Sequence, residues 1–300
     1  YVKIASLNVN GLNNPIKRSK FIAKMKHEKS YSCKKHTFPH LNMINLKKFG
    51  HTQPFYSSFR KNNKRVVSIS IHNSLNFELL KEISDKEGRY ILLQGKLNKQ
   101  LITLVNIYAP PGSKTLFNTI INLLAMETKG ITICGGDFNI VHNQQKDTSN
   151  NKRIKTAQIR SFKNSLKDLG VLDVWRDLYP SKRQYSYYSL PHAVYSRIDY
   201  FFMFSRDRHR IKECEMKAAD VSDHATLYLT LNLNDRKADK TWRLNTSIQG
   251  KTEVVAQIKS EIELYVENND NREVSPIILW DAAKAVLRGK IISITATLKK

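Results

Sequence analysis

Four small polar clusters in this chain fall at the ends of apolar runs, and that pattern limits the fold more than any other feature. The clusters are SLNVNG with Asn8, GGDFN with Asp137 and Asn139, SRIDYFF with Asp199, and VSDH with Ser222, Asp223 and His224. Continuous apolar runs of this length read as buried strands. Residues 2–10, 66–72, 90–97, 101–110, 131–141, 195–204 and 225–233 have that character. Residues 90–97 and 101–110 form a hairpin around the polar turn Asn98-Lys99-Gln100. Helical periodicity alternates with these runs at 15–29, where Pro15 takes a first-turn position, and at 113–127 and 156–169. Strands interleaved with helices indicate a layered α/β domain, and such folds carry reactive groups at strand ends, where loops are free to hold them.

The character changes after Asn234. A charged connector, DRKADK, leads to two amphipathic helices at 252–267 and 277–299, the second opened by Pro276. The expected division is therefore a globular domain over 1–236 and a helical segment over 237–300. No window approaches the ~18 uninterrupted apolar residues of a membrane helix, and the N-terminus lacks the charged and apolar regions of a signal peptide. Cys33, Cys134 and Cys214 are too few and too scattered for a zinc pattern or a disulfide framework. That suits a reducing compartment, nuclear or cytoplasmic. The formal net charge is +24, from 50 Lys and Arg against 26 Asp and Glu. Such an excess attracts phosphate-rich polymers through counterion release and favours a polynucleotide over a small phosphate ester. A monomer acting on DNA, without an organic cofactor, is expected.

Each polar cluster has an ordinary reading when taken singly. Asn8 can cap a turn, Asp137 and Asn139 can form an Asx-turn, Asp199 can pair with Arg197, and His224 can be a hydrogen-bonded core residue. Together they are what metal-assisted phosphodiester hydrolysis needs. Magnesium takes oxygen ligands, an Asp can orient or activate water, a His can pair with an Asp, and carboxamides can donate to phosphate oxygens.

The stretches SLNVNGLNNPIKR, LVNIYAPP, CGGDFNIV, YSRIDYFF and VSDHATLYL resemble, in order and spacing, the exonuclease/endonuclease/phosphatase superfamily in its apurinic-endonuclease-like branch. Within it they are most similar to the endonuclease domain of LINE retrotransposons, over residues 1 to about 235. The tail resembles the helical segment that leads to the reverse transcriptase in those elements, with no polymerase motif after it. The resemblance implies a four-layered α/β sandwich of two packed mixed sheets flanked by helices, with the site at one edge. It implies Mg2+ (or Mn2+) near Asn8 and Asp223, with Asp137 on the attacking water. Asn139 and Tyr108 would stand at the scissile phosphate, His224 would bind phosphate while held by Asp199, and Ser186 would lie near the phosphate. Arg197 of the same motif is assigned to DNA contact. One departure is Pro110-Pro111, where many relatives have Asn after Tyr-x-Pro, so one amide contact is missing. The implied reaction is a nick in one DNA strand.

The strand expected to supply the main metal-binding Glu reads SYSCKKHTFPH instead. Anchoring on the preceding helix puts that Glu at Thr37, and anchoring on LKKFG puts it at Lys35. Glu28 is the sole acid in residues 1–70, against fifteen Lys and Arg. A codon argument explains the change. CTC CTG CAA GAA ACA CAC TTT encodes Leu-Leu-Gln-Glu-Thr-His-Phe, and reading it one base later gives Ser-Cys-Lys-Lys-His-Thr-Phe, the run from Ser32 to Phe38. Desolvating lysines is costly, so this segment is expected to be poorly formed or looped out, with magnesium binding weakened. The competing function is a nucleic-acid-binding remnant with little catalysis.

Overall fold

A computed structural model describes residues 1–11, 14–27, 31–36, 53–58, 66–150, 157–218, 220–233, 250–270 and 275–297. The chain divides into two compact units, Tyr1–Asn234 and Asp235–Lys300. The expected boundary at 236/237 lies outside the described residues.

The first unit is built on two six-stranded mixed sheets. One runs β13 (Ile211–Lys217), β14 (Thr226–Leu231), β1 (Val2–Asn8), β2 (Tyr31–His36), β4 (Val66–Ile71), β3 (Gln53–Ser58). The other runs β5 (Phe77–Ser84), β6 (Tyr90–Leu97), β7 (Gln100–Tyr108), β8 (Ile131–Asp137), β12 (Asp199–Phe204), β9 (Val171–Asp173). Each sheet holds one parallel pair among antiparallel ones, β1 with β2 and β7 with β8. A two-stranded ribbon, β10 (Tyr187–Ser189) with β11 (Val194–Ser196), stands apart.

The sheets share one apolar core. Ile4, Val67, Ile69 and Leu229 from the first meet Leu93, Leu104, Ile133 and Phe201 from the second, all at or below 1% exposure. Full burial of such side chains contributes roughly 1.5–3 kcal/mol each. A second cluster covers the other face of the β7–β8 sheet. There Leu116, Phe117, Ile120, Leu123 and Leu124 of α2 (Lys114–Met126) and Phe162 and Leu166 of α3 (Ala157–Asp168) pack onto Val105, Cys134 and Phe202. Helix α1 (Pro15–His27) is capped by Asn14, whose side-chain oxygen accepts from the amides of Ile16 and Lys17. The short helix α4 (Val174–Leu178) buries Trp175. In the second unit, α5 (Thr252–Asn269) and α6 (Pro276–Thr297) pack through Val254, Ile258, Ile291 and Ile294, with Lys290 on Glu261 at 3.1 Å.

Two expectations need correction. The segment containing Cys33-Lys34-Lys35 is not looped out. It forms β2, paired parallel with β1 on one side and antiparallel with β4 on the other. Backbone pairing needs only an N–H and a C=O at each position, and every residue of β2 supplies both. The run 195–204 is not one strand. It breaks at Arg197-Ile198 into β11 and β12, which belong to different sheets.

Candidate active site

Both parallel pairs end at the same edge of the first unit. Asn8 closes β1 and Asp137 closes β8, in register with Tyr108 of β7. Asp199 opens β12 directly opposite Asp137, and His224 lies two residues before β14. The antiparallel partners start where the parallel strands finish, which brings residues more than 200 positions apart in sequence into contact.

The glycines before Asp137 are required by the packing. A Cβ on Gly136, whose φ is +137°, would lie 2.0 Å from the Ile107 carbonyl oxygen, and one on Gly135 would meet the Phe201 ring at 2.7 Å. Only glycine lets β8 pass there and deliver Asp137. Asn139 takes a left-handed φ of 49°. Its amide N–H donates to Asp137 Oδ1 at 3.0 Å, and its side-chain amide donates to the Ala109 carbonyl at 2.9 Å.

A chain of buried hydrogen bonds crosses the site. The Asn8 amide donates to Asp137 Oδ2 at 2.7 Å and lies 3.2 Å from His224 Nε2. His224 Nδ1 meets Asp199 Oδ2 at 2.8 Å, and the Ser186 hydroxyl donates to the same oxygen at 2.7 Å. The Tyr187 ring lies against the imidazole, 4.7 Å between centroids. Burial disfavours the charged imidazole, but Asp199, Asp137 and Asp223 outweigh it and push its pKa up to about 9. Asn8 as oriented offers Nε2 a donor, which suits the neutral ring. The charged ring wants an acceptor there, and Asn8 turns its amide nitrogen, not its side-chain oxygen, towards it.

Asp137, Asn139, Asp199, His224 and Asn8 therefore lie together at this edge, with Tyr108 in register beside Asp137. Asp223 is exposed at the rim, where its carboxylate accepts from Asn10 at 3.0 Å and from Ser222 at 3.0 Å. Ser186 and Arg197 stand elsewhere than expected. Ser186 is 2% exposed, and its oxygen also accepts the amides of Ile198 and Asp199, so it fixes Asp199 from behind. Arg197 is fully buried and cannot reach DNA. Its guanidinium donates to Asp147 at 2.9 and 3.0 Å and to Asp173 at 2.6 and 3.1 Å, and it lies over Tyr200 and Trp175. It is not the partner of Asp199. Asn10 and Tyr187 were missed. Asn10-Gly11 reads as a bare turn, and a tyrosine among neighbouring tyrosines gives no signal of which one meets His224.

Ligand atoms of Asp137, Asp199 and His224 lie within 4.8 Å of one another, so by spacing the group could hold a metal ion. Its bonding does not fit magnesium, which demands near-octahedral oxygen ligation. Both Asp137 oxygens accept hydrogen bonds, Asp199 holds an imidazole that favours the proton, and the Asn8 carbonyl accepts from the Asn10 amide. In register with Asn8, the adjacent strand carries Lys35.

No model of a known protein family matches the chain. The chain is 23% identical over 258 aligned residues to an exodeoxyribonuclease of Bacillus subtilis, an alignment that covers 77% of this chain and all of that protein. Among solved structures, an AP endonuclease from Archaeoglobus fulgidus superposes with a TM-score of 0.60 at 20% identity, covering 77% of this chain and all of that one. An AP endonuclease from Leishmania major gives 0.59 at 18% identity, covering 77% of this chain and 88% of its own. The chain has the mixed α/β fold of AP endonucleases.

Proposed function

We propose that this protein is a DNA phosphodiester-cleaving nuclease scaffold of the exonuclease/endonuclease/phosphatase type, descended from a LINE-type nicking endonuclease and impaired in metal-assisted hydrolysis. The observation that carries the reading is the buried chain Asp137–Asn8–His224–Asp199 at one edge of two packed sheets. Asp137, oriented by Asn8 and Asn139, is placed to hold a water and take its proton. His224, charged and braced by Asp199, needs an acceptor at Nε2, and a DNA phosphate oxygen supplies one. Tyr108 stands in register with Asp137, which supports a role for it at the same phosphate. The +24 formal charge steers a polyanion to the molecule.

The second reading, a DNA-binding remnant, is favoured by Lys35 in register with Asn8, where a carboxylate would help hold a divalent ion. Plasmid relaxation in Mg2+ decides between them. Replacing residues 32–38 by Leu-Leu-Gln-Glu-Thr-His-Phe should raise nicking at least about tenfold over the natural chain, and adding Asp137→Ala should abolish it. A replaced chain that stays inert leaves only the remnant. Vigorous nicking by the natural chain, lost on Asp137→Ala, would remove the remnant reading.

A further inference from the structure

Helix α3 carries its positive charges along one line. Arg160, Lys163 and Lys167 follow one another at intervals of three and four residues, a spacing that stacks side chains on one face of a helix. All three are exposed, as is Asn164 beside them. The opposite face holds Phe162 and Leu166 in the core, where the Phe162 ring lies 4.7 Å from that of Phe117 on α2 and 6.2 Å from that of Phe138. Helix α2 has no acid from Lys114 to Met126, and Asn118 and Asn122 stand exposed one turn apart on it. The only acid of α3 is Asp168, its last residue. Three other exposed cations of the first unit have acidic partners. Lys81 meets Glu127 at 2.6 Å, Lys96 meets Glu78 at 3.5 Å, and Arg208 meets Asp177 at 2.6 Å. Among the described residues, no acid pairs with Arg160, Lys163 or Lys167.

We propose that the outer face of the α2–α3 layer is a second DNA-contact surface, which takes the sugar-phosphate backbone of a duplex outside the catalytic edge. The Gly170 amide donates to the Lys167 carbonyl at 2.9 Å, and the Ser205 amide donates to the Gly170 carbonyl at 2.8 Å. Ser205 follows β12 at the end away from Asp199, so the Lys167 end of the stripe lies away from the catalytic edge. Charge complementarity names the occupant. Cations with no acid beside them displace counterions from a polyanion at full effect, and neutral carboxamides add donors for phosphate oxygens. At 1.5 Å per residue, Lys167 stands about 10 Å along the axis from Arg160. That matches the axial rise of about three phosphates of one strand. An apolar partner has little to hold, because no large apolar side chain of α3 is exposed. The contact needs neither a metal ion nor cleavage, so it goes beyond the catalytic reading of the edge and is tested apart from it.

The test is equilibrium binding of the full 300-residue chain to a fluorescent DNA duplex, by anisotropy across a KCl series, in EDTA and in Mg2+. Replacing Arg160, Lys163 and Lys167 together by Gln should weaken binding at least about tenfold and lower the slope of log K against log salt by about 2.7, at about 0.9 per phosphate contact. Lys163→Gln alone should lower the slope by about 0.9. The charge-keeping set Arg160→Lys, Lys163→Arg and Lys167→Arg should bind as the natural chain does. A control set, Lys81→Gln, Lys96→Gln and Arg208→Gln, removes the same charge from acid-paired positions and should lower the slope by less than about 1. The stripe effect should be equal in EDTA and in Mg2+, and unchanged in an Asp137→Ala background. The proposal is overturned if the stripe variant keeps the natural slope, if the control set loses as much, or if the stripe effect disappears in EDTA. Plasmid relaxation separates it from the catalytic reading. If no form nicks DNA but the stripe effect on binding persists, the nuclease reading fails and the second surface stands. If nicking is found and the stripe variant binds like the natural chain, the surface fails and the nuclease reading stands.

Discussion

Ser186 shows how a buried hydroxyl can serve a site it does not line. Its oxygen accepts two backbone amides and donates to Asp199, which holds the carboxylate against His224. The charge on His224 follows from that arrangement and makes folding depend on pH. Its folded pKa, about 9, lies above the ordinary 6.5. The stabilisation is thus fully present below pH 6.5 and is lost as pH rises towards 9. It amounts to on the order of 1–3 kcal/mol for this buried pair. Melting temperatures measured from pH 6 to 10 should fall across that window, and His224→Gln should flatten the fall. A profile unchanged by the substitution would show that the ring is not charged in the fold. Gly136 offers a second check. Gly136→Ala places a methyl group 2.0 Å from a carbonyl oxygen that belongs to the neighbouring strand. Chemical denaturation should show a loss of about 2 kcal/mol or more. A loss below 0.5 kcal/mol would mean that the two strands separate easily there.

The break between β11 and β12 is the element that sets Asp199 in place. Arg197 draws the chain inward between them, because its guanidinium satisfies two carboxylates from separate segments, Asp147 and Asp173. Burial works against the charge of Asp147, but hydrogen bonds and charge from Arg197 and Arg176 outweigh it and hold its pKa below the usual range. Arg197→Met would leave Asp147 paired with Arg176 alone and Asp173 with His142 at 3.9 Å, and removing one partner of such a cluster costs about 3–5 kcal/mol. Urea unfolding measures this, and a loss under 1 kcal/mol would contradict the cluster as drawn. Much of the element order was legible in sequence. The positions of β1, β4, β6, β7, β8, β14 and of α1, α2, α3, α5 and α6 follow from apolar runs, helical periodicity and turn residues, including Asn98 and Lys99, which both take positive φ in the hairpin. Strand β5 was not legible, because Leu79 and Leu80 sit exposed side by side on an edge strand and give neither period. The split at Arg197 was hidden because its cause, two aspartates 24 and 50 residues away, is tertiary. The β2 segment was misjudged because lysine content argues about side chains, whereas its pairing is made by backbone.

At the scale of the first unit, two sheets with one parallel pair each deliver their polar ends to one edge, and between the sheets lies an apolar core across which the buried Asn106 side-chain amide donates to the Ser68 carbonyl at 2.8 Å. The convergence of Asn8, Asp137, Asp199 and His224 was readable from motifs at strand ends. What the edge now does was not, since it turns on which lysine of β2 stands in register with Asn8. A strong basic surface brings DNA to the protein whether or not it cleaves, so binding alone does not report on catalysis. Plasmid nicking in Mg2+ by the natural chain, Lys35→Glu and Lys34→Glu reads the register directly. Lys35→Glu should nick at least about tenfold faster than the natural chain, with Lys34→Glu no faster than background. Equal nicking by all three, or a gain confined to Lys34→Glu, would contradict the register that sets Lys35 opposite Asn8.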